Sequence, residues 1–118
     1  MLESWKTYLG NNSDKRFSEF VSPMLAKNVS HVPPTLIFAA AFDPLQDEAC
    51  FYARYLKKEG VIVKFHCFEA VTHHFWLMNF ILDTSVKAHK MAVEFLVGLN
   101  KTEDQRTADQ RLELDSDR

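Results

Sequence analysis

Glycine is scarce in this chain, which has only Gly10, Gly60 and Gly98 among its 118 residues. At this spacing they fit neither GxGxxG nor GxxxxGK(S/T), the glycine-rich patterns that bind nucleotide phosphates. Cysteine is equally scarce, because Cys50 and Cys67 are the only two. Two cysteines cannot form a disulfide framework, so we expect buried thiols or a single bridge. These absences exclude phosphate-loop and disulfide-rich proteins.

The chain also lacks an excess of positive charge and a long apolar run. Its formal net charge is -2 at pH 7, so we expect no attraction to nucleic acid or to an anionic membrane. The longest uninterrupted apolar segment, Leu36–Phe42, is too short to cross a bilayer. No basic stretch and apolar core follow Met1. We therefore predict neither a signal peptide nor a transmembrane segment in this chain.

Glycosylation sequons give the one indication of a cellular compartment. Three N-x-S/T patterns begin at Asn11, Asn28 and Asn100, which is a weak sign of a lumenal or secreted history. Such patterns also arise by chance, so the endoplasmic-reticulum lumen and the cytoplasm both stay open.

The remaining composition is that of one globular domain. Apolar residues make up 47% of the chain and charged residues 25%, as in ordinary soluble domains. We predict a single domain over residues 1–99. Residues 100–118 carry ten charged side chains and three apolar ones, so we predict a charged, disordered tail there.

Two parallel strands joined by a helix form the centre of the predicted fold. The apolar run 35–41 lies between proline-containing turns and predicts a strand buried on both faces. Asp43, Pro44 and Gln46 then match an N-cap, N1 and N3 capping box for a helix that ends near Glu59. Residues 61–68 alternate in polarity and predict a second strand.

A loop over residues 69–75 and a last helix from Thr84 or Ser85 to Leu99 complete the domain, and a short helix over residues 2–9 precedes it. The strand–helix–strand unit predicts a right-handed crossover between parallel strands. Two strands make a poor sheet by themselves. The fold class is therefore α/β with an incomplete sheet, typical of the C-terminal portion of a larger domain.

Candidate catalytic residues follow the two predicted strands. Asp43 comes directly after the first strand, and His73 and His74 lie in the loop after the second. The carboxyl ends of parallel strands meet at one edge of a sheet, where α/β proteins have their sites. An acid that orients a histidine is two thirds of a nucleophile–base–acid triad. The local alternative is that Asp43 only caps a helix.

The remaining histidines and the apolar segment 75–78 allow other interpretations. His66, Cys67, His73 and His74 could be imagined as a zinc set, but His66 and Cys67 point to opposite faces of a strand, so we expect no metal. His66 and His89 are expected to be solvated. The apolar segment 75–78 could line an acyl pocket, although core packing is the commoner role.

An ordered series of motifs resembles one enzyme family. It comprises Val32–Ile37, Phe42–Glu48, Gly60-Val61 and His73-His74-Phe75, with Ser22–Ala26 upstream. This series resembles the C-terminal part of the hormone-sensitive-lipase-like α/β-hydrolases, of the arylacetamide deacetylase and carboxylesterase type, over residues 5–97. The resemblance implies Asp43 as triad acid, His73 as base, a small apolar ester as substrate, an acyl-serine intermediate and no cofactor.

The departures from that family concern the rest of the catalytic machinery. The chain contains neither the nucleophile motif G-x-S-x-G nor a His-Gly-Gly oxyanion segment, and we expect both upstream of Met1. His74 replaces the family's glycine, which leaves His74 as an alternative base. We predict that the isolated chain is not an efficient esterase. The alternative function is a non-catalytic interaction module that self-associates through its open sheet.

Overall fold

The computed structural model describes residues 2–101, without the side chains of residues 2–5 and 13. Helix α1 (Leu2–Leu9) leads through two short 3-10 turns to strand β1 (Thr35–Phe42). Helix α2 (Gln46–Lys58), strand β2 (Val63–Thr72), a 3-10 helix (His73–Leu77) and helix α3 (Asp83–Leu99) follow. The predicted tail lies outside the described residues from position 102 onward. Among residues 2–101 no helix is long and apolar enough to cross a membrane.

Strands β1 and β2 pair in parallel, as predicted, in a two-stranded sheet. Apolar side chains cover both faces of β1. On one face Ala40 packs with Phe68 of β2 and Ala88 of α3. On the other, Ile37 packs against a cluster that contains Leu56 of α2. The predicted burial of this strand between two layers is confirmed, with one helix on each side.

Helix α2 begins differently from the prediction. Its first residue is Gln46, its N-cap position is Leu45, and no side chain caps it. Asp43 instead accepts a hydrogen bond from the backbone N–H of Leu45 at 2.9 Å, and the N–H of Gln46 bonds the carbonyl of Asp43 at 3.0 Å. These bonds form a turn ahead of the helix. The predicted capping box is therefore wrong, because the turn separates Asp43 from the first helical residue.

Strand β2 is longer than predicted and irregular near its end. It continues to Thr72, so most of the predicted loop belongs to the strand, and the 3-10 helix begins at His73. Ala70 has φ +56°, a left-handed conformation that is rare for residues other than glycine. The pairing shifts beside it: Ala40 pairs with Phe68, but Phe42 pairs with Thr72. Strand β2 therefore accommodates two extra residues in a bulge.

Helix α3 covers the sheet with only its first half. Ala88 is fully buried and Met91 packs against the same cluster. Leu96 and Leu99, in the last turn of the same helix, are exposed. Among residues 2–101 the sheet beside this helix has only two strands.

Candidate active site

The register of the sheet brings Asp43 and His73 together. Phe42 is the last residue of β1 and pairs with Thr72, the last residue of β2. The next residue of each strand is Asp43 in one and His73 in the other, so both side chains emerge at the same edge. Without the bulge near Ala70, Phe42 would stand opposite Ala70 and Asp43 opposite Val71. The local distortion of β2 therefore aligns the acid with the histidine.

A direct hydrogen bond joins the two side chains. Nδ1 of His73 lies 2.7 Å from Oδ2 of Asp43. A carboxylate can only accept, so the proton of this bond is carried by Nδ1 of the imidazole. The Nε2 atom is then the nitrogen that can accept a proton when the ring is neutral. The side chain of His73 is 54% exposed and that of Asp43 10%, so the acid is inside and the base faces outward.

The electrostatic environment keeps the Asp43 carboxyl ionised. Partial burial raises the pKa of this group, because desolvation disfavours the charge. The hydrogen bonds from the Leu45 N–H and from His73, together with the positive charges of His73 and His74, act in the opposite direction. They outweigh the burial, so the pKa of Asp43 lies below its ordinary value of 3.8. An acid that is ionised at neutral pH can hold the His73 ring in one orientation and stabilise its protonated form.

His74 lies beside the pair without replacing His73 in it. The rings of His73 and His74 are 5.0 Å apart, edge to face. The hydrogen bond to Asp43 is made by His73. Of the two neighbouring histidines considered from the sequence, His73 therefore has the geometry that a carboxylate-oriented base requires.

An apolar cleft of about 300 Å³ opens beside Asp43 and His73. Its other walls are aromatic or small and come from β1 and from the 3-10 helix: Phe38, Ala40, Phe75 and Trp76. Phe75 is buried in the core, so the expected packing role holds for it. Trp76 is half-buried and lines the cleft as well. Leu77 and Met78 of the same segment are exposed, and the use of this segment as an acyl pocket stays a prediction.

Two predictions about histidine exposure are wrong. His89, expected to be solvated, is half-buried and stacks on Trp76 with ring centroids 3.8 Å apart. His66 is half-buried too and packs edge to face on Phe68. Both imidazoles pack against aromatic side chains. The polarity of a histidine side chain alone does not predict this burial. The available signal was that His89 lies one helical turn after Ser85 and next to the core residue Ala88.

The thiols and acidic groups form no other site among residues 2–101. Cys50 and Cys67 are both free and half-buried. No three His, Cys, Asp or Glu side chains in that range lie close enough to hold a metal ion. In chemical terms the cleft offers a base, the acid that orients it, and an apolar surface. Among the residues whose side chains the structure describes, none that lines the cleft is a hydroxyl or thiol nucleophile.

Sequence comparison connects this chain to ester hydrolases. Residues 1–77 match the family described by the α/β-hydrolase fold. The chain is 34% identical over 94 residues to the ethyl acetate hydrolase of Pseudomonas putida, a match that covers 80% of this chain and 28% of that protein. It is 42% identical over 55 residues to the carboxylic ester hydrolase LipN of Mycobacterium tuberculosis, covering 47% of this chain and 15% of LipN.

Solved structures give the same relationship. EstE1, a carboxylesterase cloned from a metagenomic library, superimposes with a TM-score of 0.73 at 25% identity, over 78% of this chain and 31% of EstE1. The hyperthermophilic esterase of Pyrobaculum calidifontis superimposes with a TM-score of 0.62 at 34% identity, over 64% of this chain and 24% of the esterase. In each case the chain spans less than a third of the protein that it matches.

Proposed function

Because this chain belongs to the α/β-hydrolase family, in its hormone-sensitive-lipase-like, carboxylesterase branch, we propose that it supplies the acid and base of a serine carboxylic-ester hydrolase. Asp43 is the acid and His73 the base in this proposal. The substrate is a small, neutral, apolar ester. The reaction needs no cofactor, since proton transfer and an acyl-serine intermediate are sufficient.

One observation carries the proposal: Nδ1 of His73 is 2.7 Å from Oδ2 of Asp43 at the edge where the two parallel strands end. This bond leaves Nε2 free to take the proton of an attacking hydroxyl and later to return it to the leaving alcohol. The ionised Asp43 stabilises the imidazolium between those steps. The adjoining cleft is apolar, which suits an uncharged ester.

The nucleophile and the oxyanion donors are not part of the proposal for these 118 residues. The sequence contains no G-x-S-x-G pattern, and no serine whose side chain the structure describes lines the cleft beside His73. A triad without its nucleophile loses on the order of a millionfold in kcat. We therefore propose that the isolated chain hydrolyses esters at close to the background rate.

A chimeric enzyme tests the roles of Asp43 and His73 directly. Residues 1–99 of this chain would replace the matching C-terminal segment of the Pseudomonas putida ethyl acetate hydrolase, which would supply the remaining sequence. We expect the chimera to hydrolyse 4-nitrophenyl acetate. His73→Ala should lower its kcat/KM by about 10⁴-fold or more, and Asp43→Asn by about 10⁴-fold, because the ring loses its orientation.

Two controls separate the base from its neighbours. His31→Ala removes an exposed histidine that precedes β1, whereas Asp43 follows the opposite end of that strand. This variant should leave kcat/KM unchanged. His74→Gln tests the alternative base. A folded chimera whose activity survives His73→Ala and disappears with His74→Gln would contradict the assignment. Rapid ester hydrolysis by the isolated chain, lost in His73→Ala, would contradict the proposed inactivity.

A second candidate function is self-association or partner binding without catalysis. It is favoured by the large apolar side chains at the surface, among which Phe20 is 90% and Phe80 81% exposed. Exposed large apolar side chains are candidate contacts for a partner. This function would need no intact triad, so activity of the chimera with Asp43 and His73 would favour the first proposal over it.

A further inference from the structure

The 3-10 helix places Trp76 on the same side as the proposed base. A 3-10 helix has three residues per turn, so side chains at i and i+3 lie above one another. His73 is the first residue of this helix and Trp76 the fourth. Both line the cleft. Trp76 therefore follows His73 by one turn of the 3-10 helix, and both residues line the cleft that an ester bound at His73 would enter.

Helix α3 holds Trp76 at two points. Ser85 is fully buried, and its hydroxyl donates to the carbonyl of Trp76 at 2.9 Å. His89 stacks its ring on the indole, with centroids 3.8 Å apart and planes 22° from parallel. Nδ1 of His89 lies 2.8 Å from the carbonyl of Ser85, and since a carbonyl only accepts, this nitrogen donates. The backbone and the ring of Trp76 are therefore both fixed.

We propose that Trp76 is the specificity-determining wall of the cleft and that His89 is its positioning residue. The inference deepens the proposed function, on which it rests, by naming the substrate class: small esters that carry one aromatic ring. Phe38 lies 5.8 Å from Trp76, ring centroid to ring centroid. Phe38, Phe75 and Trp76 together present aromatic surface to the cleft, and aromatic rings favour offset or edge contacts with one another.

The volume of the cleft limits the size of that substrate. About 300 Å³ is at the lower end of small-molecule sites, which run from roughly 300 to 1,000 Å³. A single ring and a short acyl group fit such a space, whereas a long acyl chain would extend beyond it. The opening at His73 places the ester carbonyl toward the exposed base and the ring toward Trp76.

A binding measurement tests this without any turnover. The full chain with Trp5→Phe leaves Trp76 as its only tryptophan, because the sequence has two. The probe is 4-phenylbutan-2-one, a ketone that copies benzyl acetate but cannot be hydrolysed. We expect saturable quenching of the Trp76 emission, with a Kd at least fivefold lower than that of 2-pentanone, which has no ring and copies ethyl acetate.

Variants at position 89 distinguish positioning from simple folding. His89→Ala removes the stacked ring and should reduce the preference for the aromatic ketone to less than twofold. His89→Phe keeps a stacking ring without the nitrogen and should restore the preference. His31→Ala removes an exposed histidine and is the matched control, expected to behave as the parent. Circular dichroism checks that each variant retains its helices.

Trp76→Leu gives a second test by ligand-observed NMR, because it keeps an apolar side chain and removes the ring. Loss of the aromatic preference in this variant is expected. An unchanged preference in Trp76→Leu and His89→Ala, or no saturable binding of the aromatic ketone to the parent, would overturn the inference. The two proposals fail in different measurements. If only the proposed function failed, the ketone would still bind at Trp76, but the activity of the chimera would not depend on His73.

Discussion

Asp43 has a separate hydrogen-bond partner for each of its two carboxylate oxygens. Its Oδ1 atom accepts the N–H of Leu45 and shapes the turn before α2. Its Oδ2 atom accepts from His73 across the sheet edge. The two oxygens therefore have separate partners, so a structural role in the turn is compatible with the proposed role as triad acid. A substitution can remove one role and keep the other.

The pH dependence of stability is a first prediction about this residue. The pKa of Asp43 in the folded chain is below its ordinary value of 3.8. A lowered pKa stabilises the fold at pH values above the unfolded pKa, and this contribution is lost as the pH falls through the folded value. Asp43→Asn keeps an oxygen for Leu45 but has no charge. We expect it to lower the free energy of unfolding by about 0.5–1 kcal/mol at pH 6, since His73 is largely solvated.

Urea unfolding at pH 6 and at pH 2.5 checks this expectation. The difference between the parent chain and Asp43→Asn should shrink toward zero as the pH falls through the folded pKa of Asp43, because the carboxyl is then protonated. Asp14→Asn removes an exposed carboxylate in the 3-10 turn Ser13–Phe17 and serves as the matched control. A difference that grew at low pH would contradict the direction of the pKa shift.

The sequence predicted the neighbours of Asp43 better than those of Trp76. The contact between Asp43 and His73 follows from the end of β1, which Pro44 marks, and from the parallel pairing, which brings the residues after both strands to one edge. The contact of Trp76 with His89 depends on the rotation of α3 over the sheet. That rotation follows from how Ala88 and Ser85 pack, and neither residue is distinctive in the sequence. Side-chain positions set by packing were therefore missed.

At the scale of elements, the end of β2 was the least predictable part of the fold. Alternating polarity is clear up to Phe68 and is lost at Glu69 and Ala70, which predicted a loop. The structure keeps the strand and inserts a bulge there, with Ala70 in the left-handed region. A left-handed alanine has no sequence signature, because glycine is the residue expected in that conformation. The bulge nevertheless decides which residue stands opposite Asp43.

Substitution of Ala70 by glycine gives the second prediction. The left-handed conformation costs an L-residue with a Cβ roughly 1–2 kcal/mol, and glycine adds roughly 0.4–1 kcal/mol of chain entropy to the unfolded state. The net expectation is that Ala70→Gly raises the free energy of unfolding by about 0.5 kcal/mol. Ala70→Val should lower it by about 1 kcal/mol or more, because a β-branched residue is an outlier at positive φ.

Chemical denaturation of both variants measures these changes. Ala92→Gly, in the interior of α3, is the matched control and should lower the free energy of unfolding by about 1 kcal/mol, the usual cost of glycine in a helix. If Ala70→Gly were destabilising to the same degree as Ala92→Gly, the backbone at position 70 would not be in the left-handed region. The bulge would then need another explanation.

At the scale of the whole molecule, the sheet has fewer strands than the apolar cover on both faces of β1 leads us to expect. Strand β1 is apolar and covered on both faces, yet it pairs along one edge only within residues 2–101. The related esterases are three or more times as long as the segment that they share with this chain. The fold class and the incompleteness of the sheet were both predictable, because a strand without alternation belongs inside a larger parallel sheet.

The backbone bonds identify the free edge of β1. The N–H of Thr35 donates to Ile62 at 2.8 Å, so Thr35 points its polar backbone groups toward β2. These groups alternate in direction along a strand, so Leu36, Phe38 and Ala40 point theirs away from β2. An edge of this kind, long and apolar, is a template for pairing with another chain. We expect a second copy of this chain to pair there at high concentration.

The third prediction concerns that edge. Sedimentation equilibrium of the chain at about 5–500 μM should show a mass that rises from monomer toward dimer. Leu36→Pro removes an N–H that faces the free edge, near the start of the strand where proline is tolerated, and should shift the association to at least tenfold higher concentration. Thr35→Pro removes the hydrogen bond to Ile62 inside the sheet and should instead destabilise the fold. Pairing through β1 requires the N–H that proline lacks, so association unaffected by Leu36→Pro would place the contact elsewhere. The exposed Phe20 and Phe80 would then be the next positions to change.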